Sequence, residues 1–394
     1  MPLDMNGSTT NHPELAAQQA PASAEPDVRN ADNPLVARLK ARIASTGHVS
    51  VAEFMKAALG DQDGGYYTTR DPFGAAGDFT TAPEISQVFG ELIGLWCVDT
   101  WRAMGSPRAF ALIELGPGRG TLMSDALRAL RQVPECRAAA NIHLVETSPV
   151  LRELQQNTLR GENITWHSSF PDHGRTPVIF LANEFLDALP VEQYVKHGGN
   201  WCERVVAHDT AHDRFCFAID RSKRLPLGAI TRQLAQAEEG EIFEYAPTVR
   251  DFVSDMAHQV FLYGGAGLIV DYGYTRHAIG QTLQAVRRHR PIDPLESPGE
   301  CDLTAHVDFQ LVGETAQNAG TKIWGPVDQG VFLQRIGIIE RTNILLKRAN
   351  VSQAHDLRTA MTRLIAPAEM GALFKVMAMT DQRLSSLAGF EADS

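Results

Sequence analysis

The fold is decided by a glycine-rich turn, Glu114-Leu115-Gly116-Pro117-Gly118-Arg119-Gly120. An apolar run at residues 109–114 precedes this turn and an amphipathic stretch, Thr121–Leu130, follows it. The pattern predicts a buried strand, a tight turn and a helix. Glycine lets a ligand approach the backbone and adopts unusual dihedral angles at little steric cost. We therefore predict a cofactor site at this turn, formed by Glu114, Gly116, Pro117, Gly118, Gly120 and Thr121.

A second strand is predicted at residues 142–146, and it ends in Glu146, 30 residues after the first glycine of the turn. A carboxylate there can accept hydrogen bonds from both hydroxyl groups of a ribose. Folds that bind NAD also use such an acid, but their fingerprint is G-x-G-x-x-G with the acid about 20 residues further on. Here the glycines follow G-x-G-x-G, and Thr121 stands where the third NAD glycine would be. NAD binding remains the alternative.

Outward from the turn, short apolar runs alternate with amphipathic stretches. Strands are predicted at residues 109–114, 142–146, 163–167, 178–182 and 267–271. Strands that alternate with helices form a parallel, doubly wound sheet, which binds ligands at the carboxyl ends of its strands. The expected fold class is α/β, a Rossmann-like sheet with a helical N-terminal region and an inserted α+β cap.

The chain divides into five predicted segments. They are a disordered tail (1–32), a helical region with a lid loop (33–108), the first half of the sheet domain (109–190), an inserted cap with antiparallel strands (191–264), and the second half with C-terminal helices (265–394). A cap above the sheet would help to form a substrate cleft, although an insertion without a functional role is the simpler alternative. Leu373, Phe374, Val376 and Met377 are placed in the C-terminal helices, where they pack on the core or on the second subunit of a homodimer.

Composition excludes several classes of protein. The net charge of -11 argues against nonspecific binding of nucleic acid, which needs clustered cations. Five cysteines without a CxxC pair and thirteen histidines without an HExxH motif predict no metal site. The apolar stretch at residues 92–98 is too short to cross a bilayer. Residues 1–32 carry a single basic side chain, Arg29, and no apolar core, so we expect neither a presequence nor a signal peptide and predict a cytoplasmic location.

Several long motifs in a fixed order carry a resemblance to a known family. They are Gly77-Asp78-Phe79-Thr80-Thr81-Ala82-Pro83-Glu84-Ile85-Ser86, the glycine-rich turn, Leu181-Ala182-Asn183-Glu184-Phe185-Leu186-Asp187-Ala188-Leu189-Pro190, Val270-Asp271-Tyr272-Gly273, Asp302-Leu303-Thr304-Ala305-His306-Val307-Asp308-Phe309 and Gln329-Gly330-Val331-Phe332-Leu333. In these motifs the chain resembles the MidA family of methyltransferases, whose mitochondrial members assist assembly of respiratory complex I. The resemblance implies a class I methyltransferase sheet, S-adenosyl-L-methionine as methyl donor, and methylation of an arginine on a protein, in the mitochondrial members a complex I subunit.

Arginine as methyl acceptor sets a requirement for acidic side chains, because its guanidinium is permanently charged. Carboxylates must hold and orient it beside the methyl group. Two acids follow the fourth predicted strand, so we expect Glu184 to bind the guanidinium and Asp187 to act as second orienting group or proton acceptor. Asn183 would point its amide toward the cofactor or the reacting nitrogen. The alternative is that Glu184 and Asp187 merely cap the following turn.

The remaining candidate residues lie in loops. Asp78, Thr81 and Ser86 belong to a predicted lid that reaches the donor, while Glu84 favours the start of a helix. Ser168 and Ser169 follow the third strand, where they can contact the adenine edge. His306 and Asp308 form a predicted acid–base pair near the substrate, and a histidine that only begins a helix is the alternative. Two other functions stay open: methylation of a small molecule, and an assembly or scaffold protein that binds the cofactor without turnover.

Overall fold

The structure is a computed structural model, and it describes residues 33–70, 80–226 and 232–391. The predicted disordered tail and Asp78 lie outside the described residues. The described strands are β1 (Val49–Ser50), β2 (Phe110–Leu115), β3 (Ala140–Val145), β4 (Ile164–His167), β5 (Val178–Asn183), β6 (Glu192–His197), β7 (Asn200–Asp209), β8 (Arg214–Arg224), β9 (Ile242–Tyr245), β10 (Gly265–Tyr274), β11 (Gln284–Arg287), β12 (Arg290–Ile292), β13 (Asp302–Thr304), β14 (Val307–Asp308), β15 (Lys322–Asp328) and β16 (Phe374–Thr380).

Helices connect these strands. The described helices are α1 (Pro34–Thr46), α2 (Val51–Gly60), α3 (Tyr66–Thr69), α4 (Ala82–Ile85), α5 (Gln87–Ala103), α6 (Thr121–Leu130), α7 (Pro134–Ala139), α8 (Pro149–Thr158), α9 (Arg232–Ala235), α10 (Pro247–Tyr263), α11 (Phe309–Asn318), α12 (Gln329–Arg335), α13 (Ile338–Leu346) and α14 (Val351–Ile365), followed by a π-helical turn (Pro367–Gly371). No helix in the described ranges combines the length and apolar character needed to cross a membrane.

The main sheet has the strand order β15-β16-β10-β5-β2-β3-β4, with β14 added beside β10. Strands β4, β3, β2, β5 and β10 run parallel to one another. These are the five predicted strands, and the predicted α/β doubly wound fold is confirmed. The chain leaves β2 toward β3 on one side and returns to β5 on the other, so the order reverses between β2 and β5. A crevice for ligands forms at such a reversal, outside the carboxyl ends of the strands.

One part of the sheet differs from the prediction. Residues expected in a C-terminal helix form β16, which runs antiparallel between β10 and β15. The helix assignment of Phe374, Val376 and Met377 is therefore wrong, and all three side chains are buried in the core. A short apolar run looks the same in a buried strand and a buried helix. Leu373, just before the strand, remains exposed.

Apolar layers cover both faces of the sheet. One face packs on α5 and α6, and the other on α10 and α11. The α5–α6 contact is close because α5 presents glycine to α6: a Cβ atom on Gly90 would lie 2.6 Å from Asp125 Cβ, and one on Gly94 would lie 2.6 Å from the carbonyl oxygen of Ala126. This packing holds the start of α6, and with it the glycine-rich turn, against the end of β2.

The insertion forms a second sheet. Its order is β1-β7-β6-β9, with β8 paired to β7, and the pairing is antiparallel. Strand β1 comes from the N-terminal region and pairs Val49 with Val206. A common core of α1, α2 and residues near β11 and β13 packs beneath it. The cap and the N-terminal helices therefore share one core. The strand pairing that joins them spans 157 residues, from Val49 to Val206, and the local sequence pattern does not indicate it.

Candidate active site

The glycine-rich turn brings the backbone from β2 into α6. Gly116, Gly118 and Gly120 have φ values of 60°, 53° and 81°, a region that favours glycine. A Cβ atom on Gly116 would also lie 2.7 Å from the Phe185 ring. The sharp turn thus depends on glycine at the positions that the sequence identified.

A small cavity of about 40 Å³ lies at this turn, between the ends of β2 and β5. Its lining includes Thr81, Glu84, Glu114, the turn from Gly116 to Arg119, Thr121, Asn183 and Glu184. Glu114 Oε2 and Asn183 Oδ1 are buried and have no hydrogen-bond partner among the described residues. Burial raises the pKa of Glu114 to about 8, although the backbone N–H of Met123 donates to it. Two buried acceptors facing a glycine-lined cavity fit a ligand that donates hydrogen bonds, such as an ammonium group.

Glu146 follows β3 and is held by a buried polar network. Its Oε1 accepts a hydrogen bond from the backbone N–H of Ser148 at 2.8 Å, and its Oε2 accepts one from Gln155 Nε2 at 3.2 Å. The same Gln155 amide donates to the carbonyl oxygen of Gly118 at 2.8 Å, and Trp166 Nε1 donates to Gln155 Oε1 at 2.9 Å. Burial raises the pKa of Glu146, partly offset by these donors.

Gln155 is a residue that the sequence reasoning missed. It is fully buried on α8 and joins the glycine-rich turn to Glu146. The available signal was a polar side chain four residues after Leu151, on the helix face that packs inward. A polar residue on an inward face needs hydrogen-bond partners, so this position indicated a buried polar contact.

Three carboxyl groups crowd the ends of β5 and β10. Burial raises the pKa of Glu184 to about 7 and that of Asp187 to about 6. Burial and the two neighbouring carboxylates hold the pKa of Asp271 well above its ordinary range. Asp271 Oδ2 accepts hydrogen bonds from the backbone N–H groups of Leu186 at 2.9 Å and Asp187 at 3.2 Å. We call Glu184, Asp187 and Asp271 the acidic cluster.

The acidic cluster lies beside the cavity at the glycine-rich turn. Glu184 lines that cavity and has a left-handed φ of 50°, a conformation that is uncommon outside glycine and is found at functional sites. Asp187 is buried; its Oδ1 atom lacks a partner among the described residues, while the Tyr272 side chain hydrogen-bonds to its carboxyl group. This arrangement can bind a cation next to the cofactor cavity.

A segment before α5 closes over the cavity. The backbone N–H of Ala82 donates to Glu184 Oε1 at 2.9 Å. Glu84 accepts a hydrogen bond from the Thr121 hydroxyl, and its Oε2 lies 3.6 Å from Arg119 Nη1. We call residues 81–85 the lid segment, because it bridges the glycine-rich turn and the acidic cluster.

Three serines expected near the cofactor do not line the cavity. Ser86 instead caps α5, accepting a hydrogen bond from the backbone N–H of Val88 at 3.2 Å. Ser168 and Ser169 are exposed after β4. Short hydroxyl side chains at the ends of elements commonly serve as caps and turns.

The predicted acid–base pair of His306 and Asp308 is wrong, because the histidine that contacts Asp308 is His277. Asp308 Oδ2 lies 2.6 Å from His277 Nδ1, and Asp308 Oδ1 accepts hydrogen bonds from two backbone N–H groups at the start of α11. This pairing raises the pKa of His277. The His306 ring instead meets the Tyr272 ring edge-on, with centroids 5.3 Å apart, and burial lowers its pKa.

A second cavity, of about 320 Å³, lies between the cap sheet and the end of β10. Both His277 and His306 line it, together with Leu186, Tyr245, Arg250, Tyr274 and Glu314. Leu186 lines this cavity, and the next residue along the chain is Asp187 of the acidic cluster. We call it the cap cavity.

The chain is similar in sequence to a family of methyltransferases and to several named proteins. A family profile described as S-adenosyl-L-methionine-dependent methyltransferase matches residues 92–327. A Drosophila melanogaster protein named protein arginine methyltransferase NDUFAF7 homolog, mitochondrial, is 36% identical over 95% of this chain and 91% of its own length. The human mitochondrial protein arginine methyltransferase NDUFAF7 is 34% identical, over 91% and 86%.

A solved structure has the same fold. A Burkholderia thailandensis protein crystallised with S-adenosyl-homocysteine is 30% identical and superposes with a TM-score of 0.76, covering 90% of this chain and 93% of that one. The predicted cofactor, S-adenosyl-L-methionine, is confirmed at the level of the family. The prediction of a cytoplasmic location is wrong, because the curated relatives are named as mitochondrial proteins.

Proposed function

Because this chain belongs to the family of S-adenosyl-L-methionine-dependent methyltransferases, we propose that it methylates the side chain of an arginine on a protein. The observation that carries the proposal is the acidic cluster beside the glycine-lined cavity. Like charges in a buried site raise one another's pKa, and a bound guanidinium relieves that repulsion. The names of the relatives, which are arginine methyltransferases, support the same acceptor.

The cofactor supplies a methyl group bound to a sulfonium. Glu114 and the glycine-rich turn, which line the cavity, would hold its amino-acid end, and the buried carboxylate of Glu146 would accept the ribose hydroxyls. Gln155 orients Glu146 and the turn together. Asn183 lines the same cavity, and its buried Oδ1 atom, which has no hydrogen-bond partner among the described residues, is placed to accept a hydrogen bond from a bound ligand. Thr81 and Thr121 lie at the lid end of the same cavity.

In the acidic cluster, Glu184 holds the guanidinium of the methyl acceptor and Asp187 is the second orienting group. The reacting nitrogen forms its bond to the methyl carbon as the carbon–sulfur bond breaks, and the electron pair of that bond stays on sulfur. The nitrogen then loses one proton, which Asp187 accepts. Asp271 acts through the backbone of Leu186 and Asp187 and is a positioning residue.

The cap cavity is the proposed place for the polypeptide around the target arginine. Its volume of about 320 Å³ suits a short segment of chain rather than a folded surface. His306 borders this cavity and contacts Tyr272, which in turn hydrogen-bonds to Asp187. His306 thus acts as a positioning residue between the acceptor chain and the acidic cluster. The proposed specific partners are a complex I subunit, which the family resemblance implies, and a second copy of the chain in a homodimer.

The test uses labelled S-adenosyl-L-methionine and the full chain with cell lysate from its own source. We expect label in a protein band, and methylarginine in the acid hydrolysate of that band. Label only in the low-mass fraction would favour a small-molecule acceptor. Label absent from both fractions, with cofactor binding intact, would favour a scaffold. Gly118→Val is the control, because a β-branched residue is strained at φ 53° and Gly118 lines the cofactor cavity.

A further inference from the structure

Three histidines meet at the β3–β4 edge of the main sheet, outside the methyl-transfer site. His143 lies on β3, His167 ends β4, and His173 lies between β4 and β5. Each offers a ring nitrogen, and these nitrogens all lie within 4.8 Å of one another. His143 Nδ1 and His167 Nε2 are 3.0 Å apart, and the His143 and His173 rings have centroids 4.3 Å apart. We call these residues the histidine cluster.

One ring nitrogen of the histidine cluster is unsatisfied. His173 Nε2 is buried and has no hydrogen-bond partner among the described residues. A hydrogen bond between the His143 and His167 rings satisfies one nitrogen on each and leaves this atom without a partner. A buried polar atom without a partner lowers the stability of the folded protein. A ligand that bonds to this imidazole nitrogen would remove that destabilisation.

The geometry suits a metal ion. In a tetrahedral zinc site the Zn–N bonds are about 2.0–2.1 Å, which places neighbouring ligand nitrogens about 3.3–3.4 Å apart. The shortest observed separation, 3.0 Å between His143 Nδ1 and His167 Nε2, is close to this value, and the candidate nitrogen of His173 lies within 4.8 Å of the other two. Imidazole binds a metal ion through a ring nitrogen in its neutral form, and each of the three histidines offers one such nitrogen to the same point.

The cluster is also accessible. A cleft of about 390 Å³ is lined by His143 and His173, together with Asn141, Asn163 and Thr165. Arg137, the cation that lines this cleft, is ion-paired with Glu162. The cleft gives an ion a path to His143 and His173, and its volume leaves room for water as a fourth ligand.

We propose that His143, His167 and His173 form a binding site for a divalent transition metal ion. Zinc fits best, since three imidazoles and one water are a ligand set that it commonly adopts. Such an ion would tie the segment between β4 and β5 to the sheet edge. The cluster adjoins the cofactor site, because the backbone N–H of Glu146 donates to the carbonyl oxygen of His167 at 2.9 Å. The proposed metal site does not depend on the proposal that the methyl acceptor is an arginine.

This proposal revises the sequence-based expectation that the chain has no metal site. The three ligands come from a strand interior, a strand end and a loop, with spacings of 24 and 6 residues. No local motif has this spacing, and only the pairing of β3 with β4 brings the first two together.

The test measures zinc binding by the untagged full chain after removal of metals with a chelator. Titration in competition with a chromophoric chelator should give one ion per chain. Because loss of a group that merely supports a ligand weakens metal binding by about 10–100-fold, His143→Ala, His167→Ala and His173→Ala should each weaken it by at least that factor. His258→Ala, an exposed histidine on α10, is the matched control and should bind as the wild type does.

Cobalt provides a second readout that needs no variant. Cobalt bound to the wild-type chain should give the intense visible absorption of a four-coordinate site, and zinc should displace it. The proposal is overturned if the wild type binds no zinc, if the three variants bind as well as the control, or if cobalt gives only the weak spectrum of a hexahydrated ion. Where a variant fails to fold by circular dichroism, the wild-type cobalt spectrum decides.

Discussion

On the β2–β3 side of the crevice, Glu146 is surrounded by donors: a backbone N–H and the Gln155 amide occupy its two oxygens. On the β5–β10 side, Glu184, Asp187 and Asp271 face one another, and burial together with mutual repulsion raises the pKa of Asp271. Both carboxylate oxygens of Glu146 thus have a hydrogen-bond donor before a ligand arrives, as suits a group that orients neutral hydroxyls. On the second side, burial raises the pKa of all three carboxyl groups, and neighbouring carboxyl groups add to this at Glu184 and Asp271; a cationic acceptor would favour their ionised form. We call the β2–β3 side the cofactor side and the β5–β10 side the acceptor side.

The largest effect is expected from Glu184→Gln on the acceptor side. The substitution keeps the size of the side chain and removes the charge that holds the guanidinium. A hydrogen bond to a charged group contributes about 1.5–3 kcal/mol, so kcat should fall about 10- to 100-fold. The dissociation constant for S-adenosyl-homocysteine, measured by calorimetry, should stay near the wild-type value. Equal turnover by wild type and variant would remove Glu184 from the proposed role.

The second effect falls on the cofactor side. Gln155→Met keeps the volume of a buried side chain but removes the hydrogen bonds to Glu146 and Gly118. The dissociation constant for S-adenosyl-homocysteine should rise about tenfold, the result of losing about 1.4 kcal/mol of orientation. With saturating cofactor, kcat should change little.

A matched control distinguishes orientation from loss of stability. Gln329 is also fully buried and donates to the carbonyl oxygen of Leu364 at 2.9 Å, away from the site. Gln329→Met should lower the melting temperature without changing cofactor affinity. If both variants weaken cofactor binding equally, Gln155 has only a structural role.

A smaller effect is expected from the lid segment, which joins the two sides. Glu84→Gln removes the ion pair with Arg119 while a hydrogen bond from Thr121 can remain. Partly exposed ion pairs contribute at most about 1 kcal/mol, so cofactor dissociation should accelerate no more than about fivefold in stopped-flow measurements. Glu53→Gln, which changes a comparable pair with Arg42 in the N-terminal region, should leave that rate unchanged.

The two sides also differ in how far sequence predicts them. The strand, glycine-rich turn and helix of the cofactor side are contiguous, and the predicted helix Thr121–Leu130 has the observed bounds. Local apolar spacing and glycine chemistry were sufficient there. The acids of the β5 end were also found, because they directly follow a predicted strand.

What sequence did not predict depends on contacts between distant segments. Asp308 pairs with His277, 31 residues away, rather than with the nearby His306. The cap is joined to the N-terminal region through β1 and β7, and β16 enters the sheet between strands that precede it. Such pairings follow from how whole elements pack, which short apolar patterns do not encode. The same limit concealed the histidine cluster, whose first two members are brought together by the pairing of β3 with β4.

The smallest expected effect concerns stability against pH, and it separates the two sides in the ligand-free protein. The folded-state pKa of Glu184 is raised from 4.5 to about 7, so the folded state holds a proton that the unfolded state releases. The resulting stabilisation is fully present below about pH 4.5 and is lost as the pH rises through 7. The melting temperature of the ligand-free wild type should therefore fall by a few degrees from pH 5 to pH 8 relative to Glu184→Gln. Histidines and other carboxyl groups titrate in both proteins, so the difference between the two curves isolates Glu184. Addition of S-adenosyl-homocysteine, which binds the cofactor side, should raise both curves without removing their difference. Parallel curves throughout this range would mean that Glu184 is already ionised in the folded protein, and that the acceptor side is no more strained by charge than the cofactor side.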